Sequence, residues 1–292
     1  MSTSLNSRQA STRRDCLKVS VAIGASLLPT GLAAKEPANL MSKLTAYFED
    51  YSGLLPFVDT AQMMEIDRLV IERHHITLVQ MMENAGRNLA NLARHRFLEG
   101  NPVNKKVLVL AGHGGNGGGS MVAARHLRNW GANIIVMLAA SPSEFVDVPA
   151  RQLGILQSLH VPFMTLSDDC IELQKQTALI VDGLVGYGLK GAPRGRIRDI
   201  IHWANSCETP ILSLDIPSGV DSTTGEVFDP AISAEATLTL ALPKKGLTNL
   251  QAQDAAGEIY LADISVPPEL LFGLGLEVGP VFSHNEIVRL HI

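Results

Sequence analysis

Two aspartates, Asp182 and Asp215, each close a run of apolar residues, 178–181 and 211–214. An acid in that position either caps the next loop or belongs to a ligand site beyond the strand ends. A third stretch, Gly112-His-Gly-Gly-Asn-Gly-Gly-Gly-Ser120, follows the apolar run 107–110 and precedes the helix-forming residues Met121 to Leu127. Strand, glycine loop and helix start place bare backbone N–H groups at one point, which makes a seat for phosphate or another anion. Asn116 is the only amide side chain in the loop, and Ser218 follows Asp215 in Asp-Ile-Pro-Ser-Gly-Val-Asp221. Asn116, Asp182 and Ser218 offer hard oxygen atoms, suited to an alkali or alkaline-earth cation rather than a transition metal. Asp215 then reads as a general acid/base. Lys190 lies in a second glycine-rich stretch, Gly186-Tyr-Gly-Leu-Lys-Gly191, and either pairs with a phosphate or substrate oxygen or is a solvated surface lysine.

These residues need elements to hold them. A helix capped by Asp59 or Thr60 is expected with Met63, Ile66, Val70 and Ile71 on one side, and a second from Thr77 to Phe97. In the second, Glu83 and Asn84 read as ordinary helix surface. Further strands are expected at 107–110, 134–138, 161–165, 178–182, 211–215, 236–241 and 258–262, with helices at 151–159 and 197–204. Strands alternating with helices of these lengths give an α/β fold with a mostly parallel sheet covered on both faces. No repeat or linker divides the chain from Asp59 onward, so 59–292 reads as one domain.

The chain has 292 residues and a net charge of −5, which argues against a general nucleic-acid binder. Cys16, Cys170 and Cys207 have no metal-like spacing, and neither have His74, His75, His113 and His126. His113 is placed to touch a ligand, and His126 suits a helix surface. Gly112, Gly114 and Gly117 satisfy a dinucleotide fingerprint, but the next strand lacks the acid that would hold an adenine ribose. No Walker A lysine and no nucleophile elbow is present. Residues 1–34 carry Arg13-Arg14 before a short uncharged run ending in small residues, the pattern of a twin-arginine-like export signal. The run is too short and too interrupted by Pro29 for a membrane span. That segment implies a periplasmic destination, the alternative being a cytoplasmic protein. Residues 35–58 read as an N-terminal extension.

Five segments in one order resemble the YjeF N-terminal domain, the NAD(P)H-hydrate epimerase family. They are Met81-Met-Glu-Asn-Ala-Gly86, the 112–120 loop, Asp182 with Gly186-Tyr-Gly-Leu-Lys-Gly-Ala-Pro-Arg-Gly195, Leu214-Asp-Ile-Pro-Ser-Gly-Val-Asp221 and Leu240-Ala-Leu-Pro-Lys-Lys-Gly-Leu247. The resemblance spans about Thr60 to Pro268. It implies a three-layer α/β/α Rossmann-like sandwich and a homodimer. It implies interconversion of the R and S forms of hydrated NADH and NADPH, which are substrates rather than cofactors, in a repair step that feeds a separate dehydratase. It implies a potassium ion held by Asn116, Asp182 and Ser218. Nucleotide contacts are implied from Gly115, Asn116, Gly117, Gly118 and Gly119, from Gly186, Tyr187, Gly188, Leu189, Lys190, Gly191 and Ala192, and from Asp215. Glu83 and Asn84 become a structural wall of the site. The family's loop usually reads Gly-x-Gly-Asn-Asn-Gly-Gly-Asp-Gly. Here Gly115, Gly119 and Ser120 stand where it has Asn, Asp and Gly, so a loop carboxylate is missing. That departure supports a second reading, a non-catalytic nucleotide-binding or scaffold paralogue of the same fold.

Overall fold

In the computed structural model, which describes residues 47–166 and 176–292, the apolar runs become strands of one sheet. In chain order they are β1 Asp50–Tyr51, β2 Lys106–Ala111, β3 Asn133–Leu138, β4 Phe163–Met164, β5 Leu179–Gly183, β6 Ile211–Leu214, β7 Ala236–Leu240, β8 Glu258–Ala262 and β9 Ile287–Leu290. Across the sheet their order is β1-β9-β8-β7-β6-β5-β2-β3-β4. Every neighbouring pair is parallel except β8 with β9. The chain winds outward in one direction from β2 through β3 to β4 and in the other from β5 through β8. The winding therefore reverses between β2 and β5, where open α/β sheets leave a crevice for ligands.

Successive strand residues point to opposite faces, and the two cores follow that alternation. Val107, Val109 and Ala111 pack with Leu89, Met121 and Leu153. These come from α2 Leu78–Leu92, α3 Gly115–Asn129 and α4 Asp147–Ser158. Leu108 and Leu110 pack on the other face with Ile200 and Ile201 of α5 Gly195–Ser206. The result is the three-layer α/β/α sandwich. A shorter helix, α6 Leu250–Ala256, packs Ala252 and Ala256 against Ile259 and Leu261 of β8. Two more, α1 Thr60–His74 and α7 Pro268–Gly273, form a separate apolar cluster with Ala241, Leu242 and Ile264 just past β7 and β8. Capping boxes start α1 at Asp59 with Gln62 and α2 at Thr77 with Gln80.

Several boundaries differ from the sequence expectation, the helix expected at 151–159 for one starting at Asp147. The helix expected to Phe97 is α-helical to Leu92 and ends in a π turn, Ala93–Phe97. The glycine stretch is not a loop as far as Ser120, because α3 already starts at Gly115. Tertiary packing overrides poor helix propensity there. A Cβ on Gly117 would lie 1.7 Å from the Gly112 carbonyl oxygen, and one on Gly86 of α2 would lie 2.5 Å from the Gly119 carbonyl oxygen. Only glycine lets α3 sit this close to its strand and to α2. The fold also reaches back before Asp59. Phe48 is in the core, β1 pairs with β9, and Val58 hydrogen-bonds through its backbone to Pro243 and Lys245. The segment 1–34, expected to be an export signal, and residues 35–46 lie outside the described residues. Among those described, no helix is long and apolar enough to cross a membrane.

Candidate active site

The crevice at the strand switch opens into a cavity of about 450 Å3, within the size range of small-molecule sites. One wall is apolar, with Met63, Leu78, Met81, Met82 and Ile264. The polar side brings together His113, Gly114, Gly115, Asn116, Gly119, Gly186, Tyr187, Gly188 and Asp215, together with Asp67 and Lys244. The sequence had singled out most of this polar side. Gly114 is the N-cap of α3 and no side chain caps the helix, so the free N–H groups of its first turn are left for a ligand. Gly117 and Gly118 are buried within that turn and shape it from behind. Leu189, Lys190, Gly191 and Ala192 do not line the cavity, and Lys190 is exposed to solvent.

Asp182 is fully buried and accepts four hydrogen bonds. Leu184 N–H (3.1 Å) and Ser218 Oγ (2.7 Å) donate to Oδ1. Ser213 Oγ (2.9 Å) and Ser218 N–H (2.9 Å) donate to Oδ2. Burial pushes this carboxyl up, against the pull of those four donors. Ser218 Oγ also accepts from Val185 N–H at 2.9 Å and lies 3.1 Å from the Val185 carbonyl oxygen. One hydroxyl hydrogen thus faces two acceptors, Asp182 Oδ1 and the Val185 carbonyl. One of those two acceptors is therefore left without this proton, and an oxygen so placed is chemically suited to an alkali cation. The Asn116 amide nitrogen is committed to the Leu214 carbonyl at 2.9 Å. That leaves its Oδ1 turned toward Gly186, 2.8 Å from where a Cβ would lie. The oxygen donors expected from the sequence therefore fit such an ion.

Asp215 has different surroundings. It is 2% exposed and sits in the left-handed backbone region at φ 69°. Ile216 N–H bonds the Leu214 carbonyl at 2.9 Å, which turns the chain sharply around it. Such a backbone costs about 1–3 kcal/mol, and it aims the side chain away from the strand and into the cavity. Its Oδ2 accepts from Tyr187 N–H at 3.1 Å. Its Oδ1 lies 2.6 Å from Lys244 Nζ, yet no donor meets Oδ1 with hydrogen-bond geometry. The two facts are compatible because the ammonium's three hydrogens have other acceptors, Thr239 Oγ1, the Leu240 carbonyl and the Leu242 carbonyl. The contact with Lys244 is a charge contact.

Lys244 and Asp67 were not assigned a role from sequence. Lys244 is 1% exposed. Its signal was the first of two lysines, Lys244-Lys245, just past an apolar strand, within a segment already noted for its resemblance. Asp67 was signalled by being an acid on the apolar side of α1, four residues after Met63. Burial pushes Asp67 up, opposed by a 2.6 Å hydrogen bond from Tyr187 OH and by the charge of Lys244. Burial and the neighbouring Asp67 charge push the Tyr187 phenol up, so it stays a donor.

Glu83 and Asn84 lie outside the cavity and join helices. Glu83 binds Arg125, and His126 Nε2 at 2.8 Å, both on α3, while Asn84 Nδ2 donates to Ser265 Oγ at 2.7 Å. His126 is thus not on the helix surface as expected. It is 8% exposed because α2 covers it with Glu83. Burial raises Glu83, but its bonds from Arg125 and His126 outweigh that and hold it below the usual carboxylate range. Gly119 and Ser120, where the resemblance breaks, are both accommodated. Ser120 Oγ donates to the Gly117 carbonyl at 2.9 Å, and a Cβ on Gly119 would lie 2.8 Å from Leu214 Cδ2.

Residues 78–246 match the model of the family described as YjeF-related protein N-terminus. The chain is 39% identical over 232 residues to the NAD(P)H-hydrate epimerase of Dehalogenimonas lykanthroporepellens, covering 78% of this chain and 90% of that one. It is 35% identical to the NAD(P)H-hydrate epimerase of Rhodopirellula baltica, covering 74% of this chain and 87% of that one. It is also 34% identical to the bifunctional NAD(P)H-hydrate repair enzyme Nnr of Moorella thermoacetica, covering 73% of this chain but only 41% of that enzyme. The crystal structure of yeast ynu0 superposes with a TM-score of 0.70 at 28% identity, covering 81% of this chain and all of that one.

Proposed function

The chain belongs to the YjeF-related N-terminal family, and we propose that it is an NAD(P)H-hydrate epimerase that interconverts the R and S forms of hydrated NADH and NADPH. The single observation that carries this is Asp215, a buried carboxylate facing a small-molecule cavity with one oxygen lacking a hydrogen-bond donor and a buried ammonium beside it. The hydrate carries its hydroxyl on a ring carbon next to nitrogen, and inverting that centre needs a proton donor and acceptor close by. Asp215 supplies this group. Lys244 balances its charge, and Tyr187 N–H orients its second oxygen. The free N–H groups at the start of α3 seat a phosphate of the nucleotide. The apolar Met63, Met81 and Met82 wall excludes water from the ring.

A potassium ion is part of this reading. Asn116 Oδ1, Asp182, Ser218 Oγ and the Val185 carbonyl would hold it, and its charge would supply electrostatic support to the nucleotide. The reading also includes a homodimer, a separate dehydratase that consumes the product, and export through the N-terminal segment. Support for the dehydratase link is that relatives such as the Moorella thermoacetica enzyme are named bifunctional repair enzymes. The test is to feed separated S and R hydrates to purified protein and follow both by chromatography, with and without potassium. Acceleration over buffer is expected from either direction. Binding of nucleotide with no acceleration would favour the scaffold paralogue that the missing carboxylate at Gly119 suggests.

A further inference from the structure

The cavity holds a second carboxylate that the reaction above does not use. Asp67 lies on α1 and reaches the cavity from a different element than Asp215, which ends β6. Tyr187 spans the two. Its phenol donates to Asp67 Oδ2 at 2.6 Å, and its backbone N–H donates to Asp215 Oδ2 at 3.1 Å. The carboxyl groups are therefore fixed one tyrosine apart, each with one oxygen held by Tyr187. The other oxygen of each, Oδ1, has no hydrogen-bond donor among the described residues. Inversion at a ring carbon needs a group on each face of the ring, because the leaving and the returning oxygen occupy opposite faces. Catalytic carboxyl pairs that work on opposite faces of a sugar ring are likewise set apart, by about 6.5–9.5 Å, to leave room for ring and water.

We propose that Asp67 is the second proton-transfer group of the epimerisation, facing Asp215 across the hydrated ring, with Tyr187 as the spacer that fixes both. The inference rests on the epimerase reading. In one direction the Asp67 carboxyl gives its proton to the ring hydroxyl. The C–O bond breaks, its electron pair leaves with the oxygen as water, and the ring nitrogen's lone pair forms a C=N bond. A water then adds its oxygen to the opposite face, the C=N pair returns to nitrogen, and the Asp215 carboxylate takes the water's proton. The protein is left with Asp215 protonated and Asp67 ionised, which is the state the reverse direction requires. The burial that favours the protonated form of Asp67 agrees with its role as the acid. The titratable groups facing it are Tyr187, Lys244 and Asp215, with His113 on the same cavity, while α7 brings apolar Leu270 and Leu271 to the cluster around α1.

The experiment measures kcat and KM for one purified hydrate across pH with wild type, Asp67→Asn, Asp67→Glu and Tyr187→Phe, after thermal melts confirm folding. Asp67→Asn should lower kcat about 100-fold or more with KM within about threefold, and should lose the alkaline limb of the pH profile. Asp67→Glu should recover part of kcat. Tyr187→Phe removes the bond that lowers Asp67, so the alkaline limb should move to higher pH. Asp67→Asn with kcat within about threefold of wild type overturns the inference while leaving the epimerase reading intact. So does a Tyr187→Phe limb that stays in place. Wild type that does not accelerate at all sinks the epimerase reading, and the inference with it.

Discussion

Asp182 and Asp215 carry the same sequence signature, an acid closing an apolar strand on the same edge of the same sheet, yet they do opposite work. Asp182 spends both oxygens on four protein donors and locks the ends of β5 and β6 to the Ser218 loop. Asp215 lines the cavity, held by one backbone N–H on Oδ2 and by a charge beside Oδ1, which has no donor in hydrogen-bond geometry. In the proposed reaction the saturated carboxylate holds structure and supports the cation, and the undersaturated one transfers the proton. Residue type is the same in both, but Asp182 still lies within β5 in register with Ser213, whereas Asp215 sits just beyond β6 in the left-handed region, so each meets a different number of donors.

The strongest way to break this contrast is Asp215→Asn. It should lower kcat by about 100-fold to 10,000-fold. It also strands the buried Lys244 charge, at about 3 kcal/mol. Adding Lys244→Met should restore much of the melting temperature and none of the turnover, and recovery of turnover would remove Asp215 from the chemistry. Asp182→Ala is the opposite case. It leaves three buried donors without an acceptor, the Ser218 hydroxyl keeping the Val185 carbonyl, and should destabilise the fold by about 3 kcal/mol or more. At about 2–4 °C per kcal/mol for a domain of this size, calorimetry should show a fall of roughly 6 °C or more. A melt unchanged from wild type would mean the four bonds count for little.

Asp67 is the intermediate case, and pH exposes it. Its folded pKa is raised by burial, so the native state holds the proton more tightly than the unfolded chain does. Its contribution to stability is full below the ordinary aspartate value and is lost as pH rises through the raised folded value. Relative to wild type, Asp67→Asn should therefore melt higher at neutral pH, with the gap closing on acidification below about pH 4, the unfolded aspartate range. A gap that widens in acid would reverse the assignment. The smallest effect is expected from Lys190→Ala, because that side chain is exposed and outside the cavity. Its kcat/KM should stay within about twofold, about 0.4 kcal/mol. A larger loss would show that the 186–192 stretch closes onto the nucleotide.

Much of the fold was legible because apolar runs bounded by glycine and proline report strand and helix directly. The parallel strands from β2 to β8 and the capping box at Asp59 all follow that logic. The two-residue β1 and the antiparallel β9 were not legible. Each is too short to show a period; β9 forms because the edge of β8 accepts a partner, and β1 because β9 offers the next edge. Within the site, the polar side could be read from Asn116, Gly186, Tyr187 and Asp215, whose positions follow from strand ends. Lys244 was missed because a lysine is read as surface unless a buried acid awaits it, and Asp215 does so from a distant part of the chain. Glu83 was read as helix surface for a similar reason, since Arg125 and His126 meet it only when α2 packs on α3.

The sequence by itself determined the α/β order and the collection of glycine stretch, Asp182 and Asp215 at one end of the sheet. Chain direction and hydrophobic period fix those things locally. The tertiary structure alone decided the switch between β2 and β5, which aspartate is saturated, which cation is buried, and that Asp67 completes the cavity. Those outcomes depend on donors and charges delivered by segments far apart in the chain, and burial in a low-dielectric site makes the presence or absence of each partner decisive.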